Sequence, residues 1–447
     1  MTVGKWLIFL VALAAMACVA PSSARTWTDV ETGRTLDAEY LRSEGETVFL
    51  RRNADQAVFP YPLSKLSEED RAFVAEQIAG PGNEGPETER HPVHPDRYQD
   101  VDAFEPDEIP TAGRAHDQLG EVDQAVLAFM AEKGIPAVSF AVSVRGEVVH
   151  DRAFGWGDPN LRSPLPTGVS MRLASISKPI TQAAIRTLIA EGTLALEGRV
   201  FEVMGFDQDP PRNLDARWRD ITIEHLLTHR GGWDRDISGD STYRSVAVCK
   251  DLGVRLEKMV PMDLVRWYLE QPLDFDPGAR EAYSNFGYTL LARVVEKVSD
   301  QPFPTYLAAT VAKQADMTTL RVSRSDPDDR IPGEIWYCLH PEFSRKADPF
   351  PVRMITKDGS GALACTAADY CRFLTHYAIN GALRRPGGRY RGSFYGSTYG
   401  VTSACSQRPD GINFAVVGNR RPSSGADWNE ALKTRIDQAL EPIAASL

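Results

Sequence analysis

The chain lacks an excess of positive charge, a rich set of cysteines, and any long apolar run away from its start. Fifty Lys and Arg stand against 61 Asp and Glu, giving a net charge of −11. That balance argues against nucleic acid or an anionic membrane as a general partner, since both call for basic patches. The chain has six cysteines. Their closest pair, Cys365 and Cys371, is too widely spaced for a zinc knuckle. No internal repeat is visible, and no stretch after Ala17 approaches the length of a membrane span.

What is present is ample core material: 43% of the 447 residues are hydrophobic, which excludes global disorder. The length allows two domains, or one large domain with an appendage. The start reads as a signal peptide over residues 1–24. Lys5 supplies a positive region, Trp6 to Ala17 is apolar, and Ser22-Ser23-Ala24 offers small residues before a cut. Export to the periplasm or the medium is therefore expected. A membrane anchor, or a lipoprotein site at Cys18, is the alternative, but a Leu is missing three residues before that cysteine. Loss of Cys18 leaves Cys249, Cys338, Cys365, Cys371 and Cys405. An odd number leaves at least one thiol free or paired between chains.

Residues 25–79 read as a small β module. Short alternating stretches, Ala38-Glu39-Tyr40-Leu41 and Val48-Phe49-Leu50, are separated by Gly- and Glu-rich turns. Ser67 then caps a short helix. Trp27, Gly33-Arg34-Thr35 and the closing Leu66-Ser67-Glu68-Glu69-Asp70 resemble the Sla1 homology domain, an SH3-like module. The expected role is binding, to a protein or cell-envelope partner, or spacing. Residues 80–115 are rich in Pro, Gly and acid and read as a linker. His91 and His94 lie in it without a thiol or carboxylate to complete a metal set.

Residues 116–447 read as one large domain. It opens with a helix over Leu119–Lys133, then strands over Ala137–Val144 and around Val148-Val149, joined at Arg145-Gly146-Glu147. The middle is largely helical. Strands return at 399–403 and 412–419, and a helix over Trp428–Leu440 closes the chain. Strands from both ends around a helical middle predict an α+β fold with one antiparallel sheet.

Two short motifs carry chemistry. Ser175-Ile176-Ser177-Lys178 opens an amphipathic helical stretch ending at Glu191-Gly192. Residues i and i+3 share a helix face, so the Ser hydroxyl and Lys amine can meet. An amine relieved of its proton can activate the hydroxyl as a nucleophile. The quartet alone recurs by chance and also fits an exposed Lys at a helix start. Tyr283-Ser284-Asn285 follows a Pro-Gly turn and precedes a helix expected over Tyr288–Val298. It offers a phenol oxygen, which as a phenolate beside an ammonium can act as a base, and a carboxamide. Taken alone it also fits a helix cap.

Ser-x-x-Lys followed by Tyr-x-Asn resembles the serine β-lactamase and penicillin-binding-protein superfamily, on its class C-related branch of esterases, amidases and D,D-peptidases. Gly134-Ile135-Pro136-Ala137, Met171-Arg172-Leu173-Ala174-Ser175, the run Ile221–Gly232 and the run Gly359–Asp369 resemble it too. The resemblance implies a β-lactamase/transpeptidase-like fold, Ser175 as acylated nucleophile, and Lys178 with Tyr283 as the proton-moving pair. It implies Asn285 as a substrate contact, a half oxyanion hole at the Ser175 N–H, and no metal or cofactor. Small esters, amides or peptides are the implied substrates.

The third motif departs from the family pattern. The strand usually carries Lys-Thr-Gly or His-x-Gly; here it reads Phe394-Tyr395-Gly396-Ser397. With Gly396 as the motif glycine, Phe394 takes the cationic position, while the Ser397 N–H still completes the oxyanion hole. The lost charge favours esters or uncharged amides over β-lactams and peptidoglycan peptides, unless Arg391 replaces it. A non-catalytic binding protein on the same fold is a further reading. His225 and His229 lack the Glu of a zinc-protease motif, and Trp233, Trp336 and Tyr337 are candidate pocket walls or core plugs.

Overall fold

A computed structural model describes residues 25–44, 47–53, 58–79, 105–158, 163–325, 331–338, 352–385, 388–422 and 427–447. The expected signal peptide over 1–24 and most of the expected linker, with His91 and His94, lie outside the described residues. Contacts divide the chain into two units, residues 1–92 and 93–447.

In the first unit, β1 (Arg25–Thr28), β2 (Thr35–Glu44), β3 (Thr47–Arg52) and β4 (Val58–Pro62) form an antiparallel sheet in chain order, followed by α1 (Glu68–Ala79). Trp27, Ala38, Val48, Leu50, Leu66 and Val74 form its core. The buried Trp27 indole donates to the Ala38 carbonyl at 2.9 Å, so its one polar atom is satisfied. Ser67 caps α1, its hydroxyl accepting from the Asp70 N–H at 3.1 Å.

In the second unit a six-stranded sheet runs β11-β12-β13-β6-β7-β5. Its members are β5 (Thr111–Arg114), β6 (Ala137–Val144) and β7 (Glu147–Gly155) from the start, and β11 (Gly392–Thr398), β12 (Val401–Gln407) and β13 (Ile412–Gly418) from the end. The expected linker over 80–115 is thus corrected at its end: residues 111–114 pair with β7 as an edge strand. Tyr399-Gly400 is likewise the hairpin turn between β11 and β12 and not part of a strand.

Period-two alternation splits the sheet between two cores. Val138, Phe140 and Val142 of β6, with Phe414 and Val416 of β13, meet α2 (Gly120–Lys133) and the closing helix α11 (Trp428–Leu440). Each such Phe or Val contributes about 1.5–3 kcal/mol by leaving water. Ala137 and Ala141 of β6, with Ala415 and Val417 of β13, face the larger core. Small residues there let α10 (Ala367–His376) approach the sheet closely, and the Cys371 Sγ reaches the Ala141 carbonyl at 3.3 Å.

The helical middle comprises α3 (Ser177–Ala190), α4 (Val200–Val203), α5 (Ile223–Leu227), α6 (Ser245–Leu252), α7 (Pro261–Leu269), α8 (Asn285–Ser299) and α9 (Phe303–Leu307). Short strands β8 (Met171–Arg172), β9 (Arg321–Val322) and β10 (Leu363–Cys365) make a second sheet beside it. Trp233 belongs to the core here, edge-on to Phe286 at 4.7 Å between centroids. Tyr337 is also a plug: its hydroxyl accepts from the Arg172 N–H and donates to Glu334, both at 2.6 Å. Among the described residues no helix is long and apolar enough to cross a membrane.

Candidate active site

Four segments bring their residues together where α3 begins beside β11. Ser175 lies in a single 3-10 turn, Ala174–Ile176, and α3 proper starts at Ser177. The nucleophile therefore stands just ahead of the helix and Lys178 in its first turn. Ala174 takes a left-handed φ of 51°, a conformation that costs a non-glycine residue energy and is common beside catalytic groups.

The Lys178 amine is fully buried and makes three contacts. It donates to the Asn285 carboxamide oxygen and to the Ser360 carbonyl, each at 2.7 Å, and lies 3.3 Å from Ser175 Oγ. Burial, followed by the nearby ammonium of Lys357, pushes its pKa well below the usual lysine value. A neutral amine has two N–H bonds and one lone pair. The two carbonyl oxygens take both N–H bonds, and the lone pair is left for the Ser175 hydroxyl.

Tyr283 donates its phenol to Ser175 Oγ at 2.7 Å. Burial raises the phenol well above its ordinary value, so it rests as a neutral donor. A phenolate acting as base, which the Tyr-x-Asn motif allows, would form only as the phenol gives up its proton. One face of its ring meets His229, with centroids 4.6 Å apart. His229 accepts from the Ser284 N–H; burial, and next the neighbouring Lys178, lower its pKa to about 3, so it is neutral. His225 instead closes a capping box with Thr222 at the start of α5.

The β11 strand sets the fourth edge. A Cβ on Gly396 would meet Ser403 Oγ at 2.2 Å, the Leu173 carbonyl oxygen at 2.6 Å and the Ser175 nitrogen at 3.0 Å. Only glycine fits, which fixes Gly396 as the residue against the nucleophile. Thr398 and Val401 flank a two-residue turn, so they form a hydrogen-bonded pair, and Ser397 and Thr402 a non-bonded one. The Ser397 N–H therefore points away from β12 to the open side of this edge strand. Phe394 packs against the large core.

The cleft over Ser175 holds about 380 Å³ and is lined by Arg235, Tyr243, Tyr283, Asn285, Ser397, Tyr399 and Arg421. Arg391 is exposed elsewhere; Arg235 and Arg421 are the cations of the cleft. Sequence reasoning missed both, along with Asp240 and Lys357. Asp240 accepts from the Asn285 amide at 2.6 Å. Burial opposes its charge, but the Lys357 ammonium, Thr242 and Asn285 hold it below the usual carboxylate range. None of these sits in a recognisable motif, and only tertiary folding places them. Among the described residues no group of His, Cys, Asp and Glu is arranged to hold a metal ion.

The Beta-lactamase family model matches residues 122–409, more than half of the chain. Esterase EstB of Burkholderia gladioli is 30% identical over 202 residues, 44% of this chain and 50% of that protein. Penicillin-binding protein 4* of Bacillus subtilis (strain 168) is 29% identical over 182 residues, 40% of this chain and 36% of that protein. The chain thus spans half or less of the curated relatives' own length. The structure of D-amino acid amidase from Ochrobactrum anthropi SV3 with D-phenylalanine superposes with a TM-score of 0.54 at 17% identity, covering 73% of this chain and 100% of that one. That likeness shows the β-lactamase/transpeptidase-like fold. With more than half of its length matched by the family model on that fold, the chain belongs to the β-lactamase family.

Proposed function

We propose that the protein is a serine hydrolase that cleaves small esters or amides through an acyl-enzyme on Ser175. The observation that carries this is the buried Lys178 amine, 2.7 Å from the Asn285 and Ser360 oxygens and 3.3 Å from Ser175 Oγ. Ser175 Oγ attacks the carbonyl carbon and its proton passes to Lys178. The Ser175 and Ser397 N–H groups receive the developing oxyanion. Tyr283 delivers a proton to the leaving oxygen or nitrogen, and the Lys178 ammonium, which holds the proton taken from Ser175, returns one to Tyr283 once that group has left. Water then attacks the acyl carbon with the same pair working in reverse. EstB, an esterase by name, and the D-amino acid amidase structure support this reading.

A second reading has a specific observation behind it. Arg235 and Arg421 line the cleft and neither has a carboxylate partner at ion-pair distance among the described residues. A carboxylate-bearing ester, peptide or β-lactam would suit them. Mass spectrometry after a fluorophosphonate probe, run beside a p-nitrophenyl butyrate assay, tests the first reading. One adduct on Ser175 with turnover supports it; no adduct and no turnover turn the argument to a binding protein. Comparing neutral with carboxylate-bearing p-nitrophenyl esters tests the second.

The same proposal includes export through residues 1–24 and a partner-binding role for residues 25–79. The first unit carries a cleft of about 280 Å³ whose lining includes Trp27, Asp29, Arg34, Leu36 and Tyr61. Sequencing the mature N-terminus checks the export reading.

A further inference from the structure

Lys357 is a second buried lysine, 1% exposed, and the mechanism above does not use it. Its ammonium donates to Thr242 Oγ1 at 2.7 Å and lies 3.5 Å from the centroid of the Tyr243 ring, whose residue lines the cleft. A buried ammonium is costly without partners. Here the hydrogen bonds run on. Thr242 Oγ1 donates to Asp240 Oδ1 at 2.6 Å, Asn285 Nδ2 donates to Asp240 Oδ2 at 2.6 Å, and Lys178 donates to Asn285 Oδ1 at 2.7 Å. Every link has one direction. A carboxylate only accepts, so it turns the Asn285 NH₂ toward itself and leaves the amide oxygen for Lys178.

The backbone makes a second connection. The Lys357 carbonyl accepts from the N–H groups of Ser360, Gly361 and Ala362 at 2.8–3.0 Å. That tight turn aims the Ser360 carbonyl at Lys178. A Cβ on Gly359 would meet the Tyr288 carbonyl oxygen of α8 at 2.4 Å, so the turn is pressed against the helix that carries Asn285. Side chain and backbone of one residue thus lead to both acceptors of the catalytic amine.

We infer that Lys357 is a positioning residue: together with Asp240 it orients the acceptors of Lys178 and sets the charge around that amine. The inference rests on the acyl-enzyme reading for its meaning. The groups facing Lys178 are Lys357 and Asp240 from the two turns, Arg235 from the loop after Trp233, and the Tyr283 and Tyr288 rings at 4.7 and 5.5 Å. His229 beside them is neutral. After burial itself, Lys357 is the strongest influence against a proton on Lys178, and Asp240 works the other way.

The test is the pH profile of kcat/KM, read together with the ¹³Cε NMR titration of Lys178, assigned as the signal lost in Lys178→Met. In Lys357→Met the acidic limb should move up by about one unit or more. Below the limb kcat should fall about tenfold for each unit, with KM little changed, and Lys357→Arg should restore the wild-type limb. Asp240→Asn should move the limb down. A structural role would lower the rate equally at every pH, or move both limbs the same way, and either result overturns the inference. If Lys357→Met does not fold, Lys357→Gln keeps a donor for Thr242 Oγ1 without the charge; its Lys178 signal should titrate above wild type, and an unmoved titration overturns the inference. The NMR reading does not need turnover. A protein that hydrolyses nothing but shows these shifts would sink the hydrolase reading and leave this one standing.

Discussion

Gly396 and Ser175 meet backbone to backbone: a Cβ on Gly396 would lie 3.0 Å from the Ser175 nitrogen and 2.6 Å from the Leu173 carbonyl oxygen. The two N–H groups that would hold an oxyanion, those of Ser175 and Ser397, are set by this contact. Gly396→Ala should push β11 away from the nucleophile. Removing one oxyanion donor costs about a hundred- to thousandfold in kcat, and this substitution should fall in that range. Fluorophosphonate labelling of Ser175 should slow in parallel. A variant with wild-type kcat would mean that the oxyanion is held elsewhere.

Tyr283 gives a cleaner cut between binding and chemistry. Its phenol donates to Ser175 at 2.7 Å, and its ring is held against His229. Tyr283→Phe keeps the ring contact and removes the proton carrier. We expect kcat to fall by about a hundred- to ten-thousandfold, KM to stay nearly constant, and stability to change by about 1 kcal/mol. Steady-state kinetics with an ester and a denaturant melt check both. A large KM effect with normal kcat would recast Tyr283 as a binding residue.

The five described cysteines are all buried, and Cys249, Cys365, Cys371 and Cys405 form no disulfide. Burial raises the thiols of Cys338 and Cys405 to about 12, so they resist oxidation as well as attack. Reductant should leave the melting temperature unchanged, and Ellman titration should find these thiols only after unfolding. A drop in melting temperature under reductant would reveal a disulfide.

Much of this was legible in the sequence, for physical reasons. Alternation of Val138, Phe140 and Val142 against smaller neighbours announces a strand with two unlike faces. The Ser175-x-x-Lys178 and Tyr283-x-Asn285 spacings survive because each acts within one turn of chain. Thr111-Ala112-Gly113-Arg114 has no apolar alternation and reads as linker; only its pairing with β7 makes it a strand. Asp240, Lys357, Arg235 and Arg421 carry no local pattern. Their charges gain meaning only from neighbours distant in sequence, as with the 115 positions between Lys357 and Thr242. For the same reason the expected substitute for the lost motif charge fell on Arg391, near in sequence, when the cleft draws its cations from two other loops.

The buried amine of Lys178 should also leave a mark on stability. Its pKa in the folded protein lies well below the ordinary lysine value, which the unfolded chain keeps at about 10.4. Between those two values the unfolded chain holds one more proton than the folded one. Unfolding is therefore favoured at the lower end of the window, and stability rises with pH through it, by about 1.4 kcal/mol per unit for one proton. Lys178→Met removes that proton difference. The stability of wild type minus variant should climb with pH across the neutral and mildly alkaline range and level off near the unfolded value. Urea melts at a series of pH values measure it. A difference flat across the range would mean that Lys178 keeps its proton in the folded protein, and the lone pair facing Ser175 would be lost with it.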